Sequence, residues 1–433
     1  MRRIINSPIA VDMTSGSIVK PKSESLLGVY KPESSLGWLD LDAAASEKVG
    51  TLLRSLEEPT TLDVLGLGAV RDAFAAMLSP GTSTIQTRLR YFMFLPWIFR
   101  RFEDERVSPG DFADRLRHDE AQLIDCLRHL GANQGVLGYS VGRNLKRMPS
   151  EIYWGGLGTW GIRRLDLSLS EYGKRVSTLG RLRHEHDDDG DATRRAVSMW
   201  PEIRRPEGFL KRDITFELRP EEAQFLADCI RRRHPDSLLA VFCGMPEMAA
   251  GVDYPWDLPT HGLPDRLLVR LHHARCFSEL TVGPQLVYNI LLARRARDEL
   301  DWNTHDLEAD QRERLDDWSR LIDVRHDALR SWVSDLPDFW HVLADYRVGG
   351  SIRQFVDEVV KRAVNDPAQF ADDPIIHTLI RDREVWLKGK RARLAQRAAL
   401  ENWNQEPVGG QFNYRWPVTK SYLADIAAAG LQA

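Results

Sequence analysis

The chain has 433 residues, of which 43% are hydrophobic and 28% charged, and its formal net charge is −4. This length predicts about two to four domains, and the composition is that of a globular rather than a disordered protein. The small negative charge excludes a chain-wide field that attracts polyanions, so any nucleic-acid surface has to be local. None of the four cysteines belongs to a CxxC pair, which argues against a zinc knuckle and a disulfide framework.

The N-terminal sequence MRRIINSPIAVDMTSGS lacks the apolar core of a signal peptide. The longest apolar run, residues 91–99, contains Pro96 and is much shorter than the roughly 20 residues of a membrane span. We therefore expect a cytoplasmic protein without membrane contact. No nucleotide-binding, hydrolase, kinase or nuclease motif is recognisable. We predict no cofactor, no metal site and no catalytic residue, and an enzyme is the less favoured interpretation.

The predicted elements are nearly all helical. Residues 1–35 are interpreted as an extended arm, and residues 26–30 within it have the composition of an added strand. Apolar residues then recur at helical spacing, which predicts twelve helices. They cover residues 41–56, 69–78, 84–102, 109–130, 151–159, 221–233, 265–277, 284–300, 309–329, 331–345, 352–364 and 367–400. Alternating apolar and polar residues predict one strand over 162–169.

We accordingly predict a mainly α, multi-domain helical protein with a small winged-helix-like α/β unit. The predicted division has four segments: an N-terminal arm and helical domain (1–107), the winged-helix-like unit (108–185), a linker and mixed segment (186–264) and a C-terminal helical domain (265–433). Arg143, Lys146 and Arg147 precede the short second helix of that unit, where basic residues of a winged helix contact phosphates. The alternative is a purely structural helix, turn and strand.

A Gly/Ser/Thr loop at residues 79–84 precedes the predicted helix 84–102. Backbone N–H groups at a helix start bind anions, which makes Gly81, Thr82 and Ser83 a candidate anion loop. Arg88 and Arg90 follow within two turns and are candidate phosphate contacts. The alternative is a well-capped helix start, since the lysine of the phosphate-binding loop of nucleotide hydrolases is missing.

Two further clusters contain residue types of metal or nucleophilic sites. Residues 184–191, HEHDDDGD, are consecutive on a polar segment, and we favour a solvated loop because neighbours in sequence do not preorganise a coordination sphere. His272, His273 and Cys276 lie on one predicted helix. Without a third orienting group they are better explained as ordinary helix residues.

The strongest local basic patch is residues 381–394, with six basic residues against two acidic ones. Lys388, Lys390, Arg391 and Arg393 are candidate phosphate contacts, and the alternative is a solvated charged helix. Trp386 lies in the same block. The chain has 13 tryptophans, and their spread at helical spacings favours core packing over base stacking.

Four segments resemble those of an uncharacterised bacterial family: LGWLD at 36–40, PGTSTIQTR at 80–88, PSEIYW at 149–154 and WLKGKRARL at 386–394. The resemblance extends over almost the full length. It implies a cytosolic protein encoded in phage-defence gene clusters, near helicases and other DNA-handling proteins, and it assigns no catalytic residue. We therefore expect a DNA-binding or scaffold subunit of an anti-phage complex, with DNA and other defence proteins such as a helicase as partners. The alternatives are a protein-interaction adaptor without nucleic acid and a cryptic metal-dependent nuclease.

Overall fold

The structure is a computed structural model that describes residues 63–188 and 199–430, without the side chains of 183–188. The described residues belong to one compact unit, residues 49–433. Their regular secondary structure is helical and includes no strand, which confirms the mainly α prediction. The predicted arm 1–35 and helix 41–56 lie outside the described residues.

The α-helices of the described part are numbered in chain order. They are α1 (Gly68–Leu78), α2 (Tyr91–Asp104), α3 (Phe112–Leu127), α4 (Pro149–Thr159), α5 (Leu169–Asp188), α6 (Pro220–Arg233), α7 (Leu238–Phe242), α8 (Asp265–Leu280), α9 (Val282–Leu300), α10 (His305–Val324), α11 (His326–Ser334), α12 (Leu336–Val342), α13 (Gly350–Asn365), α14 (Pro374–Lys388), α15 (Arg397–Glu401) and α16 (Trp416–Ala428). None of them is both long and apolar enough to cross a membrane.

Helix α2 lies at the centre of the hydrophobic core. Its residues from Tyr91 to Phe99 are buried on every side, as expected for a helix that is apolar all round. Phe92 stacks on Trp160 with ring centroids 3.9 Å apart. Pro96 lies within the helix, which continues through it. The helix begins at Tyr91 rather than at the predicted residue 84, so the Gly/Ser/Thr loop does not lead directly into it.

The predicted winged-helix-like α/β unit is not supported, because residues 162–168 form bends and irregular coil instead of a strand. Side chains occupy the carbonyl groups that a partner strand would need. Arg163 Nη1 donates to the carbonyls of Leu165 and Leu167, both at 2.7 Å. Trp154 Nε1 donates to the Leu167 carbonyl at 3.0 Å.

Helix α5 was not among the predicted helices, and its backbone includes residues 184–188 of the segment predicted to be a solvated loop. Ser168 and Glu171 form a capping box at its start: Glu171 N donates to Ser168 Oγ at 3.2 Å, and Ser168 N donates to Glu171 Oε2 at 2.8 Å. The Ser-x-x-Glu pattern is the sequence signal for this helix. The side chains of residues 184–191, the cluster of potential metal ligands, lie outside the described part of the chain.

The predicted C-terminal helices are present, but the predictions 309–329, 331–345 and 367–400 each correspond to more than one helix. Residues 309–329 are divided between α10 and α11 at Arg325, whose guanidinium pairs with buried Glu279 at 3.1 Å. Helix α14 ends at Lys388 because Gly389 adopts a positive φ of 53°, which glycine accepts readily. Residues 389–391 then form one 3₁₀ turn.

One hydrophobic core includes residues from Val64 to Ile426 and draws on all four predicted segments. Helix α16, near the chain end, packs beside the 79–88 region: Tyr422 donates to Gln86 Oε1 at 2.9 Å, and Thr419 donates to Ser79 Oγ at 2.6 Å. The core therefore crosses the predicted segment boundaries, which stay predictions.

Candidate nucleic-acid interface

The predicted anion loop is packed inside the fold. Thr82 is buried, and its hydroxyl donates to the Ser79 carbonyl at 2.6 Å. Gly81 has a φ of 80° and lies against the indole of Trp160, which donates to the Pro80 carbonyl at 2.8 Å. Ser83 N donates to Gln86 Oε1 at 2.9 Å. The loop is thus held by its own neighbours.

The backbone N–H groups that follow the loop also have internal partners. The Tyr153 hydroxyl accepts from the N–H of Thr87 at 2.9 Å and of Arg88 at 3.2 Å. The Asp425 carboxylate accepts from the N–H of Leu89 at 2.8 Å. A phosphate at this position would have to displace these groups.

Arg88 forms an ion pair with the carboxylate of Asp425. Its Nη2 lies 2.6 Å and its Nε 2.9 Å from Asp425 Oδ1, and its guanidinium lies over the Phe216 ring at 4.8 Å. Burial raises the pKa of Asp425, while Arg88 and the Leu89 N–H lower it. The pair lines an open groove of about 480 Å³ between the 86–88 and 133–135 segments and α16.

Arg90 is only 8% exposed. It forms a two-pronged ion pair with Glu222, with Nε–Oε2 at 3.0 Å and Nη2–Oε1 at 3.2 Å. Its Nη1 donates to the Thr215 carbonyl at 3.0 Å. Arg90 therefore fastens α6 to the loop before α2.

The predicted basic residues before α4 do reach the surface. Arg143 and Lys146 are exposed and Arg147 is half-buried. Exposed Arg117 on α3 holds this segment, since its Nη2 donates to the carbonyls of Arg143 at 2.9 Å and Leu145 at 3.2 Å. We call Arg117, Arg143, Lys146 and Arg147 the Arg143 surface. Within the described part of the chain, none of the four has an ion pair with an acidic side chain.

A buried carboxylate lies beneath this surface. Glu120 on α3 accepts hydrogen bonds from Ser150 N at 2.6 Å and Ser150 Oγ at 3.1 Å, which fixes the first turn of α4. Burial raises the pKa of Glu120 to about 8, against the lowering effect of these hydrogen bonds. This carboxyl group therefore titrates near neutral pH in the folded protein.

The basic C-terminal block divides into buried and exposed parts. Lys388 is directed inward, with Nζ 3.0 Å from Glu384 Oε1, and burial lowers its pKa despite that carboxylate. Lys390 and Arg391 are exposed and have no acidic partner among the residues the structure describes. Arg393 is half-buried and its side chain hydrogen-bonds Tyr288.

Glu384 holds the turn that presents Lys390 and Arg391. It is fully buried and accepts hydrogen bonds from the Tyr288 hydroxyl at 2.6 Å and from Leu394 N at 2.8 Å, besides the contact with Lys388. The Glu384–Lys388 spacing of four residues is the sequence signal for this pair. By contrast, nothing local in the sequence indicates that Arg88 pairs with Asp425.

Trp386 differs from the other tryptophans. Of the 12 tryptophans in the described residues, Trp386 is the one that is exposed, with 66% of its surface accessible. The general expectation of core packing is therefore wrong for this residue. Its indole lies on the Arg383 guanidinium at 5.1 Å. We call Trp386, Lys390 and Arg391 the Trp386 surface.

The nucleophile-type cluster on α8 combines a buried thiol with two histidines on the same helix. The Cys276 sulfur lies 3.9 Å from the His272 ring nitrogens, but burial raises the pKa of the thiol to about 12. His273 accepts from Trp332 Nε1 at 2.8 Å and contacts Asp338 at 3.1 Å. The described residues contain no group of three or more potential metal ligands.

The comparisons with known proteins identify a family without assigning chemistry. No curated protein and no solved structure matches the chain. The model of a family of unknown function, DUF6361, matches residues 33–430. The chain therefore belongs to the DUF6361 family.

Proposed function

We propose that this protein is a nucleic-acid-binding subunit, with DNA as the expected ligand, that acts as a DNA-binding or scaffold component of a cytoplasmic bacterial anti-phage complex. The observation that carries the binding proposal is the exposure of unpaired basic residues at two places, the Arg143 surface and the Trp386 surface. The defence setting rests on the resemblance of the sequence alone.

Many arginines elsewhere in the described part of the chain are paired with carboxylates. Arg294, Arg297 and Arg312 share the carboxylates of Glu308 and Asp372, with contacts between 2.7 and 3.4 Å. Those arginines are neutralised within the protein. An arginine or lysine without such a partner is free to release counterions from a phosphate backbone, which is the main source of sequence-independent affinity.

Local patches also reconcile nucleic-acid binding with a net charge of −4. The Debye length is about 8 Å at physiological ionic strength. A phosphate within that distance of Arg143 or Lys390 therefore experiences mainly the nearby charges, and the acidic residues of distant helices are screened.

Fluorescence anisotropy with labelled single-stranded and duplex oligonucleotides at about 50 mM salt tests the proposal. The substitutions R143Q, K146Q and R147Q together, and K390Q with R391Q, should each weaken binding by roughly tenfold or more, because each removes several phosphate contacts. A matched control carries R314Q, R330Q and R347Q, which are exposed arginines without an ion pair in the described part of the chain.

The control variant should bind like the wild type. Failure of the wild-type protein to bind either oligonucleotide at this salt concentration would overturn the proposal. Equal weakening by the control variant would show that net charge, and not the two surfaces, determines the affinity.

A protein-interaction adaptor remains the second candidate, favoured by apolar exposure on α14. Ile375 is 48% and Trp386 66% exposed. The two residues are eleven positions apart, which is close to three turns and places them on one helix face. Size-exclusion chromatography of this protein co-expressed with its gene neighbours distinguishes the two proposed functions. An adaptor forms a stable complex whose elution does not change when DNA is added.

A further inference from the structure

Trp386 is held on one face and open on the other. Its indole lies over the guanidinium of Arg383, which is itself only 7% exposed. That guanidinium is fixed by the Leu65 carbonyl at 2.8 Å and the Ser351 hydroxyl at 3.2 Å, and it also lies over the Phe355 ring at 5.4 Å. The indole is thus supported from below by an anchored cation.

This support makes the exposed ring a preorganised surface. A cation over one face of an indole is an attractive contact, so it restricts the ring without covering its other face. The open face of the indole is a flat aromatic surface on which a second ring can stack in an offset arrangement. Little additional ordering is required when a second flat ring stacks on the open face.

The sequence around Trp386 is basic. Residues 381–394 contain six basic and two acidic residues, so the local sum is +4. Within this block Glu384 is paired with Lys388, so Asp382 is its one exposed acidic residue. Lys390 and Arg391 follow Trp386 by four and five positions, which suits contact with phosphates on either side of a stacked base.

The geometry selects unpaired bases. In a duplex the faces of the bases are covered by their neighbours, so a single exposed indole finds no face to stack on. Unpaired bases offer their faces, and aromatic stacking with a basic flank is the usual way of binding single strands. The described residues also form no strand after α4 that would complete a winged helix for duplex binding.

We propose that Trp386, supported by Arg383, is a stacking platform for an unpaired base, and that the ligand of the Trp386 surface is single-stranded nucleic acid whose phosphates contact Lys390 and Arg391. This inference rests on the proposed function and names the ligand class of that surface. It does not depend on base identity, since every base has a flat aromatic face.

The test uses the full chain and four variants: W386A, W386F, I375A, and K390Q with R391Q. Oligothymidylate, oligouridylate and a duplex of equal length are titrated in parallel by anisotropy, which also distinguishes DNA from RNA as the source of unpaired bases. W386A should weaken single-strand binding roughly 5- to 150-fold and change duplex binding by less than about twofold. I375A, an exposed apolar change about 16 Å away on the same helix face, should change neither.

W386F provides the second readout. A phenyl ring retains most of the stacking, so W386F should keep most of the affinity, whereas the quenching of tryptophan fluorescence by bound oligothymidylate should be lost. If K390Q with R391Q weakens binding but W386A leaves single-strand affinity unchanged, the stacking inference is wrong and the proposed function stands. If the wild-type protein binds no oligonucleotide, both are wrong.

Discussion

Lys388 and Lys390 are two positions apart in one basic block, yet their substitution should have opposite effects. Lys388→Met should destabilise the fold and leave nucleic-acid affinity nearly unchanged. Lys390→Met should leave the fold unchanged and lower the affinity. The reason is that Lys388 neutralises a buried carboxylate, whereas Lys390 extends into solvent.

The size of the effect follows from the contacts of Glu384. Its fully buried carboxylate has three donors: Lys388 Nζ at 3.0 Å, the Tyr288 hydroxyl at 2.6 Å and Leu394 N at 2.8 Å. Removing one partner of a buried ion pair costs about 3–5 kcal/mol when the other charge is left uncompensated. Two donors remain here, so we expect Lys388→Met to cost about 2–3 kcal/mol, nearer the value of one charge-assisted hydrogen bond. Lys390→Met should change stability by less than about 0.5 kcal/mol.

Urea titration monitored by circular dichroism measures both variants, and an unchanged m-value shows that the shift in midpoint reflects stability. The double variant Lys388→Met with Glu384→Gln completes a cycle. Since the neutral amide introduced by Glu384→Gln no longer needs a counter-charge, the double variant should lose less stability than the sum of the two single changes. Equal stability of Lys388→Met and Lys390→Met would refute the assignment of Lys388 to the interior.

Three further predictions concern stability. Burial raises the pKa of Glu120 from 4.5 to about 8, so the stability linked to its protonated form is fully present below about pH 4.5 and is lost as pH rises through 8. This loss of folding free energy amounts to up to about 5 kcal/mol, and Glu120→Gln should remove it in urea titrations across that pH range. An unchanged pH profile of stability would contradict the prediction. Glu222→Ala leaves the buried guanidinium of Arg90 unpaired and should cost about 3–5 kcal/mol in the same assay, unlike a surface change. Trp160→Ala should cost about 3–5 kcal/mol and Trp386→Ala less than about 1 kcal/mol; similar losses would contradict their different burial.

Helical periodicity predicted most helices because the apolar face of each one is encoded locally. Helix α13 was predicted at 352–364 and spans Gly350–Asn365. Two errors arose where side chains satisfy backbone groups. Arg163 and Trp154 donate hydrogen bonds to carbonyls of the predicted strand. The Ser168–Glu171 capping box starts α5 at the end of that predicted strand, where no helix was predicted.

The candidate site was predicted less completely, because charge type alone does not indicate a partner. Arg88 and Arg90, like Arg143, are arginines in a polar segment before a helix. In the structure Arg88 pairs with Asp425, 337 positions away, and Arg90 pairs with Glu222, 132 positions away. Pairing at such separations is decided by the tertiary fold. The four-residue spacing of Glu384 and Lys388 was the one local signal that distinguished an inward lysine from its exposed neighbours.

The salt dependence of nucleic-acid affinity tests the central claim most directly. Anisotropy titrations over a range of salt concentrations compare the wild type with a variant that carries R143Q, K146Q, R147Q, K390Q and R391Q. If these five side chains contact phosphates of a single strand, the slope of log affinity against log salt should become shallower by up to about 3.5; for a duplex, which the Trp386 surface does not select, the three residues of the Arg143 surface should account for a change of up to about 2.7. A slope equal to that of the wild type, or an equal change in the variant with R314Q, R330Q and R347Q, would contradict the assignment of phosphate contact to the two surfaces.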